Sequence, residues 1–153
     1  MLERAQEALE ASGAGGVTYH PDRIEKGPLA HSDADLTVAL FTLQFLREQD
    51  RVEALRLARE HSADSGALIV AEKIRPIDVR WAEIAIDVAH DFKAAHGIDD
   101  AAIRAKAKAL RGVLRPWSQR AIVEAITSAG WHSPEVLFRW HGWLVVGAFA
   151  SPL

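Results

Sequence analysis

Two short apolar runs constrain this chain more than anything else in it: LTVAL at residues 36–40 and ALIVAE at residues 67–72. Both are strand length and rich in β-branched residues. Both are dominated by apolar residues rather than alternating, Thr37 and the terminal Glu72 apart, so each calls for a buried strand. Residues 50–60 lie between them at helical spacing, with Val52, Leu55 and Ala58 on one stripe. Buried strand, helix, buried strand is the order that builds a parallel sheet covered by helices.

The remaining segments extend that plan. Residues 1–11 read as a short surface helix, stopped by the glycines of GAGG at 13–16. Residues 17–20 read as a short strand and 22–33 as a loop. Residues 79–95 form a long helix with Trp81, Ile84, Ala85, Val88 and Phe92 facing inward, ended by Gly97. Asp99 or Asp100 caps a helix reaching Leu110, and Pro116 with Ser118 opens another, with Ile122, Val123 and Ile126 inside and Gly130 after it. Residues 135–140 and 143–149 alternate as a hairpin about His141-Gly142. The expected fold is α/β, a mostly parallel sheet with an antiparallel C-terminal hairpin, in one domain over residues 1–153.

Composition narrows the function classes. A net charge of −3 with no basic run gives no global support for nucleic-acid binding, though a local groove stays open. With no cysteine, disulfides, zinc–thiolate sites and thiol catalysis are excluded, and a cytoplasmic location is the expectation. No apolar run approaches the roughly 20 residues of a membrane helix, and the N-terminus lacks a signal-peptide core.

Several residues are candidates for chemistry. The GAGG cluster follows a helix and precedes a strand, the reverse of a phosphate-binding loop, so it reads as a plain turn. None of the seven histidines sits in a metal-ligand pattern, and no metal is expected. His90 beside Asp91 is a candidate acid–base pair. Glu72 and Lys73 end the second apolar strand, and Thr42 and Gln44 come just after the first. Ligands of open α/β sheets gather at those strand ends. Arg115 lies in a loop before a helix, where a cation can hold an anion. Five tryptophans are many for 153 residues; core packing is the main expectation, with an aromatic substrate wall or a dimer face as the alternative.

At FTLQFL (residues 41–46) the chain resembles the S-adenosylmethionine-dependent class I methyltransferases, most of all the tRNA wobble-uridine carboxymethyl transferase branch. The resemblance continues through GALIVAEK, HDFKAAHG, LRGVLRPWS, AGW and the closing hairpin, nearly the whole chain. It implies a partial Rossmann-like sheet and S-adenosylmethionine as cofactor. It implies that Asp22 meets the adenine amino group, with Phe41, Thr42, Leu43 and Gln44 along the cofactor. Glu72, Lys73, His90, Asp91 and Arg115 would border the acceptor, a small molecule or tRNA.

Two departures qualify this. The family's glycine-rich cofactor loop and ribose-binding acid fall upstream of Met1, so the chain corresponds to the C-terminal two-thirds of a methyltransferase domain. Ala107, between Lys106 and Lys108, stands where the wobble-uridine enzymes carry an arginine for the cofactor's extra carboxylate, which favours ordinary S-adenosylmethionine. Without the upstream strands, residues 36–40 become an apolar edge. The expectation is a homodimer or a complementing chain, or else marginal stability. The alternative function is a non-catalytic methyltransferase remnant acting as an interaction module.

Overall fold

The computed structural model describes residues 2–13, 15–20, 23–27 and 32–153. Its elements are α1 (Leu2–Ser12), β1 (Ala34–Leu40), α2 (Glu48–Glu60), β2 (Ser62–Lys73), α3 (Val79–Ala95), α4 (Asp100–Ala109), α5 (Gln119–Ser128), β3 (His132–Trp140) and β4 (Trp143–Phe149). Single 3₁₀ turns lie at Ile24–Lys26 and Leu43–Phe45.

Local chemistry sets the boundaries. Asp78, Asp99 and Ser118 cap α3, α4 and α5, each accepting from N–H groups of the first turn that have no intrahelical partner. Gly130, at φ +88°, takes the left-handed conformation that ends α5. Gly66 is required by a close approach: a Cβ there would lie 2.7 Å from the Ala34 carbonyl oxygen and 2.9 Å from that of Ala63. The β1–β2 register shifts at this point.

The sheet order is β1-β2-β4-β3. β1 and β2 are parallel, whereas β2–β4 and β3–β4 are antiparallel. The α/β class and the antiparallel C-terminal hairpin expected from sequence are present, and the sheet is mixed, with β1–β2 as its parallel pair among the described residues. The candidate strand at residues 17–20 is irregular, with Val17 exposed. Four residues without a described neighbouring strand have no ladder to join.

One sheet face carries the core. Leu68, Val70, Leu144, Val146 and Ala148 pack under Leu55 and Ala58 of α2 and Ile122, Ala125 and Ile126 of α5. Each fully buried large aliphatic side chain stabilises by about 1.5–3 kcal/mol. Trp131 is buried among them, and its Nε1–H donates to the Leu55 carbonyl at 2.9 Å. The other face is largely open. Leu36, Val38 and Leu40 of edge strand β1 are 55%, 50% and 57% exposed, and Phe138 and Phe149 lie open as well.

α3 is not the core helix its apolar stripe suggested. Ala82 is its one buried residue, while Trp81 is 63% exposed and Ile84 and Phe92 are also exposed. The stripe meets the open sheet face only near the strand ends, where Phe92 touches Trp140. No helix among the described residues is long and apolar enough to cross a membrane.

Candidate functional site

The parallel strands β1 and β2 end side by side, and the site is built from the residues at and just past those two ends. Phe41 leaves β1 in the left-handed region, at φ 53°, a strained conformation for a bulky residue. Its N–H still donates to the Ala71 carbonyl at 2.7 Å, so the turn starts tied to the sheet. The chain then enters the 3₁₀ turn, whose leading N–H groups have no partner within the turn.

Glu72 supplies those partners. Its Oε1 accepts from the N–H groups of Thr42 (3.0 Å) and Leu43 (2.8 Å), and its Oε2 accepts from that of Gln44 (2.9 Å). Gln44 returns the bond, its Oε1 accepting from the Lys73 N–H at 3.0 Å. Glu72 is only 3% exposed, and burial pushes its carboxyl above the usual range, against the pull of the three N–H groups and the nearby Arg51.

Arg51 completes the latch. It is 2% exposed and donates to the carbonyls of Leu46 (3.1 Å), Gln44 (3.4 Å) and Arg115 (2.6 Å), with its guanidinium 4.4 Å from the Trp117 ring centroid. The Arg115 N–H in turn donates to the Gln44 carbonyl at 2.9 Å. Among the described residues no buried side-chain nitrogen or oxygen lacks a hydrogen-bond partner. The latch therefore fixes the turn after β1 against β2 and the loop before α5, as a preorganised support.

On the open face at the same strand ends lies a groove of about 490 Å³. Its walls are aromatic: Phe41 meets Trp143 edge to face at 5.2 Å, and Phe92 meets Trp140 at 4.8 Å. Lys73 and Lys93 line it, and Phe138 closes one side. The Lys73 ammonium lies 5.9 Å from the Trp143 ring centroid. Burial, together with the positive charges of Lys93 and Lys106, holds the Lys73 ammonium below its usual range. Such a groove suits a flat or apolar body carrying an anionic group.

The sequence-based candidates separate accordingly. Phe41 and Lys73 line the groove. Leu43, Gln44 and Glu72 are buried behind it, so Glu72 is moved from the mouth of the site to its support. Thr42 is half-buried, its N–H given to Glu72 and its hydroxyl to the Leu40 carbonyl. His90 is half-buried and Asp91 exposed on α3, adjacent in sequence to the lining residues Ala89, Phe92 and Lys93 but outside the lining. The Arg115 side chain is exposed and donates to the Gly112 carbonyl, away from the groove. Asp22 lies outside the described residues. No group of three or more potential metal ligands occurs among the described residues.

Sequence reasoning missed Phe92, Lys93, Phe138 and Trp140 as one wall, and Arg51 altogether. A signal existed for three of these. Phe138 and Trp140 alternate on one strand face, and Arg51 lies one helical turn before Leu55 on the buried stripe of α2.

The chain as a whole is similar to known proteins in fold and in sequence. In fold the chain is similar to solved methyltransferases. PigF, solved with SAH, matches with a TM-score of 0.67 at 12% identity, over 96% of this chain and 40% of PigF. An O-methyltransferase family 2 protein of Planctomyces limnophilus matches with a TM-score of 0.63 at 14% identity, over 97% of this chain and 39% of that one.

In sequence it is similar to carboxy-S-adenosyl-L-methionine synthases, 29% identical over 149 residues to that of Nautilia profundicola and 33% over 140 residues to that of Campylobacter jejuni. The alignments take in 97% and 92% of this chain but 62% and 58% of those relatives' length. No protein-family profile matches the chain.

Proposed function

We propose that this chain forms the acceptor side of an S-adenosylmethionine-dependent methyltransferase, with the turn at Phe41 to Gln44 facing the cofactor and the aromatic groove receiving the acceptor. The observation that carries the reading is the latched turn. A strained Phe41 is held by a buried Glu72–Gln44–Arg51 network at the ends of two parallel strands, and its ring opens into the groove. Strain that the surroundings maintain is concentrated at functional sites. The fold and the relatives support a sulfonium cofactor there.

Methyl transfer needs the donor carbon and the acceptor held in line, so a rigid turn beside an aromatic wall supplies orientation, which accounts for much of the rate of such a step. The acceptor is a small molecule or a tRNA base, with Lys73 near its anionic part. Asp22 contacts the adenine, His90 and Asp91 stand at the rim, and the protein acts in the cytoplasm. Calorimetric titration with S-adenosylmethionine and S-adenosylhomocysteine tests this. Saturable one-site binding of both supports it. Absence of heat from a folded sample overturns it for this chain and leaves the interaction-module alternative.

One observation favours a second reading, carboxy-S-adenosyl-L-methionine synthesis as in the relatives' name. Ala107 provides no charge, yet Lys73 and Lys93 line the groove, and Lys106 beside Ala107 is near enough to lower the Lys73 ammonium's range. Those lysines can receive the cofactor's extra carboxylate in place of an arginine. Tighter binding of the carboxylated cofactor than of S-adenosylmethionine, lost in Lys106→Ala, separates the two readings.

A further inference from the structure

A second cleft, of about 830 Å³, lies between the start of α3, the start of α5 and the turn of the β3–β4 hairpin. It shares no lining residue with the aromatic groove. Arg75, Arg120, Arg139 and His141 border it. Its apolar floor includes Ile74, and the indole of Trp81 stands at its side, 63% exposed.

The cleft's charge balance is positive. Asp78 also lines it, but its carboxylate is taken by Arg80 at 2.8 and 3.1 Å. Arg120 is paired with Glu124 at 2.6 Å, and Arg139 donates to the neutral Gln119 at 3.0 Å. The Arg75 backbone N–H donates to the Trp117 carbonyl, and its guanidinium has no hydrogen-bond or ion-pair partner among the described residues. His141 sits at φ 47°, a hairpin position that glycine or asparagine fills at lower cost. Its ring packs edge to face on Trp140 at 4.8 Å.

We propose that this cleft binds a nucleotide, with the arginines and His141 on the phosphate and Trp81 stacked on the base. Arginine forks match phosphate oxygens bidentately. An exposed indole offers a stacking face that accepts any base. A net charge of −3 over the whole chain argues against diffuse polyanion binding, so recognition rests on this local cluster. The inference is independent of the methyl-transfer reading. Its ligand is the phosphorylated nucleoside, whether free or within a single strand of RNA.

The test is fluorescence anisotropy with a labelled decauridylate, with unlabelled AMP and inorganic phosphate as competitors, at 50 and 200 mM salt. Expected are saturable binding, competition by AMP well ahead of phosphate, and weakening of tenfold or more in Arg75→Ala and in Trp81→Ala. Trp81→Phe should restore most of the Trp81→Ala loss. Arg75→Ala should also flatten the salt dependence by about one phosphate contact. Arg104→Ala, on the exposed side of α4, should bind as the wild type does.

AMP as tight as the oligomer identifies a free nucleotide, and an oligomer much tighter than AMP identifies a strand. Phosphate competing as well as AMP overturns the proposal in favour of a plain anion site. Absence of binding overturns it outright, as does wild-type affinity in a folded Arg75→Ala, Trp81→Ala double variant. Calorimetry with S-adenosylmethionine reads the other site and does not bear on this result.

Discussion

Replacing Glu72 by glutamine is the most direct test of the latch. The carboxylate accepts three N–H bonds, two on Oε1 and one on Oε2. A glutamine can keep the Oε1 pair, but its amide nitrogen then faces the Gln44 N–H, donor against donor. One buried donor is left unsatisfied, costing about 1–3 kcal/mol, and the two surviving bonds lose charge assistance worth about 1 kcal/mol each. Relief from burying a charge offsets part of this, and the expected net loss is about 2–3 kcal/mol. For a chain of this size that corresponds to a fall of roughly 5–10 °C in Tm.

The pH dependence gives a second readout with a definite sign. Burial raises the Glu72 carboxyl above 4.5, so the folded chain binds more protons than the unfolded one between 4.5 and the raised value. The group's contribution is therefore fully present below pH 4.5 and is lost as pH rises through the folded value. Glu72→Gln lacks this titration, so its deficit relative to the wild type should narrow from pH 4.5 to pH 7. Urea melts of both proteins across that range, with exposed Glu83→Gln as control, measure it. A deficit under about 0.5 kcal/mol at pH 7 would refute the latch. A deficit that widens with pH would show that the N–H groups outweigh burial, reversing the assigned direction.

Neighbouring groups give further expectations. Lys73 is held below 10.5 by burial and by Lys93 and Lys106, so its charged form burdens the fold at pH 7 and the burden fades as pH rises toward 10.5. Lys73→Met should melt higher than the wild type at pH 7, with the gap closing by pH 10; equal melting at pH 7 would argue against the assigned shift. Phe41→Gly should leave stability within about 1 kcal/mol, because relief of left-handed strain offsets the lost contact with Trp143. It should nevertheless weaken S-adenosylmethionine binding at least tenfold, and unchanged affinity would remove Phe41 from the site. The half-exposed stripe of Leu36, Val38 and Leu40 on a sheet edge should drive self-association at micromolar concentration. Sedimentation should show Val38→Lys as monomer; a wild-type chain already monomeric at that concentration would sink the idea.

Much of the fold was legible because local chemistry and tertiary packing agree. α3 spans the expected residues 79–95 because Asp78 caps it and the apolar spacing is regular. The hairpin about His141-Gly142 arises from two alternating strands with a two-residue link. An apolar run signals a buried strand without saying which strand lies beside it. β2 is flanked by one parallel and one antiparallel neighbour, and either satisfies the same pattern. The α3 stripe misled for a related reason: its period gives which residues share a side, not whether anything covers that side.

The candidate site's position at the strand ends was legible, and the division of labour among its residues was not. Strand ends pointed to Phe41, Thr42, Gln44, Glu72 and Lys73, all of which lie there. Which of these face solvent depends on the two-residue period of β2 meeting a turn that the sequence does not dimension. Glu72 falls on the core face beside Val70, and Lys73 falls on the open face beside Ala71. Adjacent residues therefore have opposite tasks. The buried carboxylate commits its oxygens to fixing the turn that carries Phe41, and the ammonium one residue later is left to meet whatever Phe41 and Trp143 enclose. A one-residue slip of β2 would exchange them, placing a lysine against three N–H donors. The register that Gly66 permits beside Ala34 thus bears on the chemistry at the far end of the same strand.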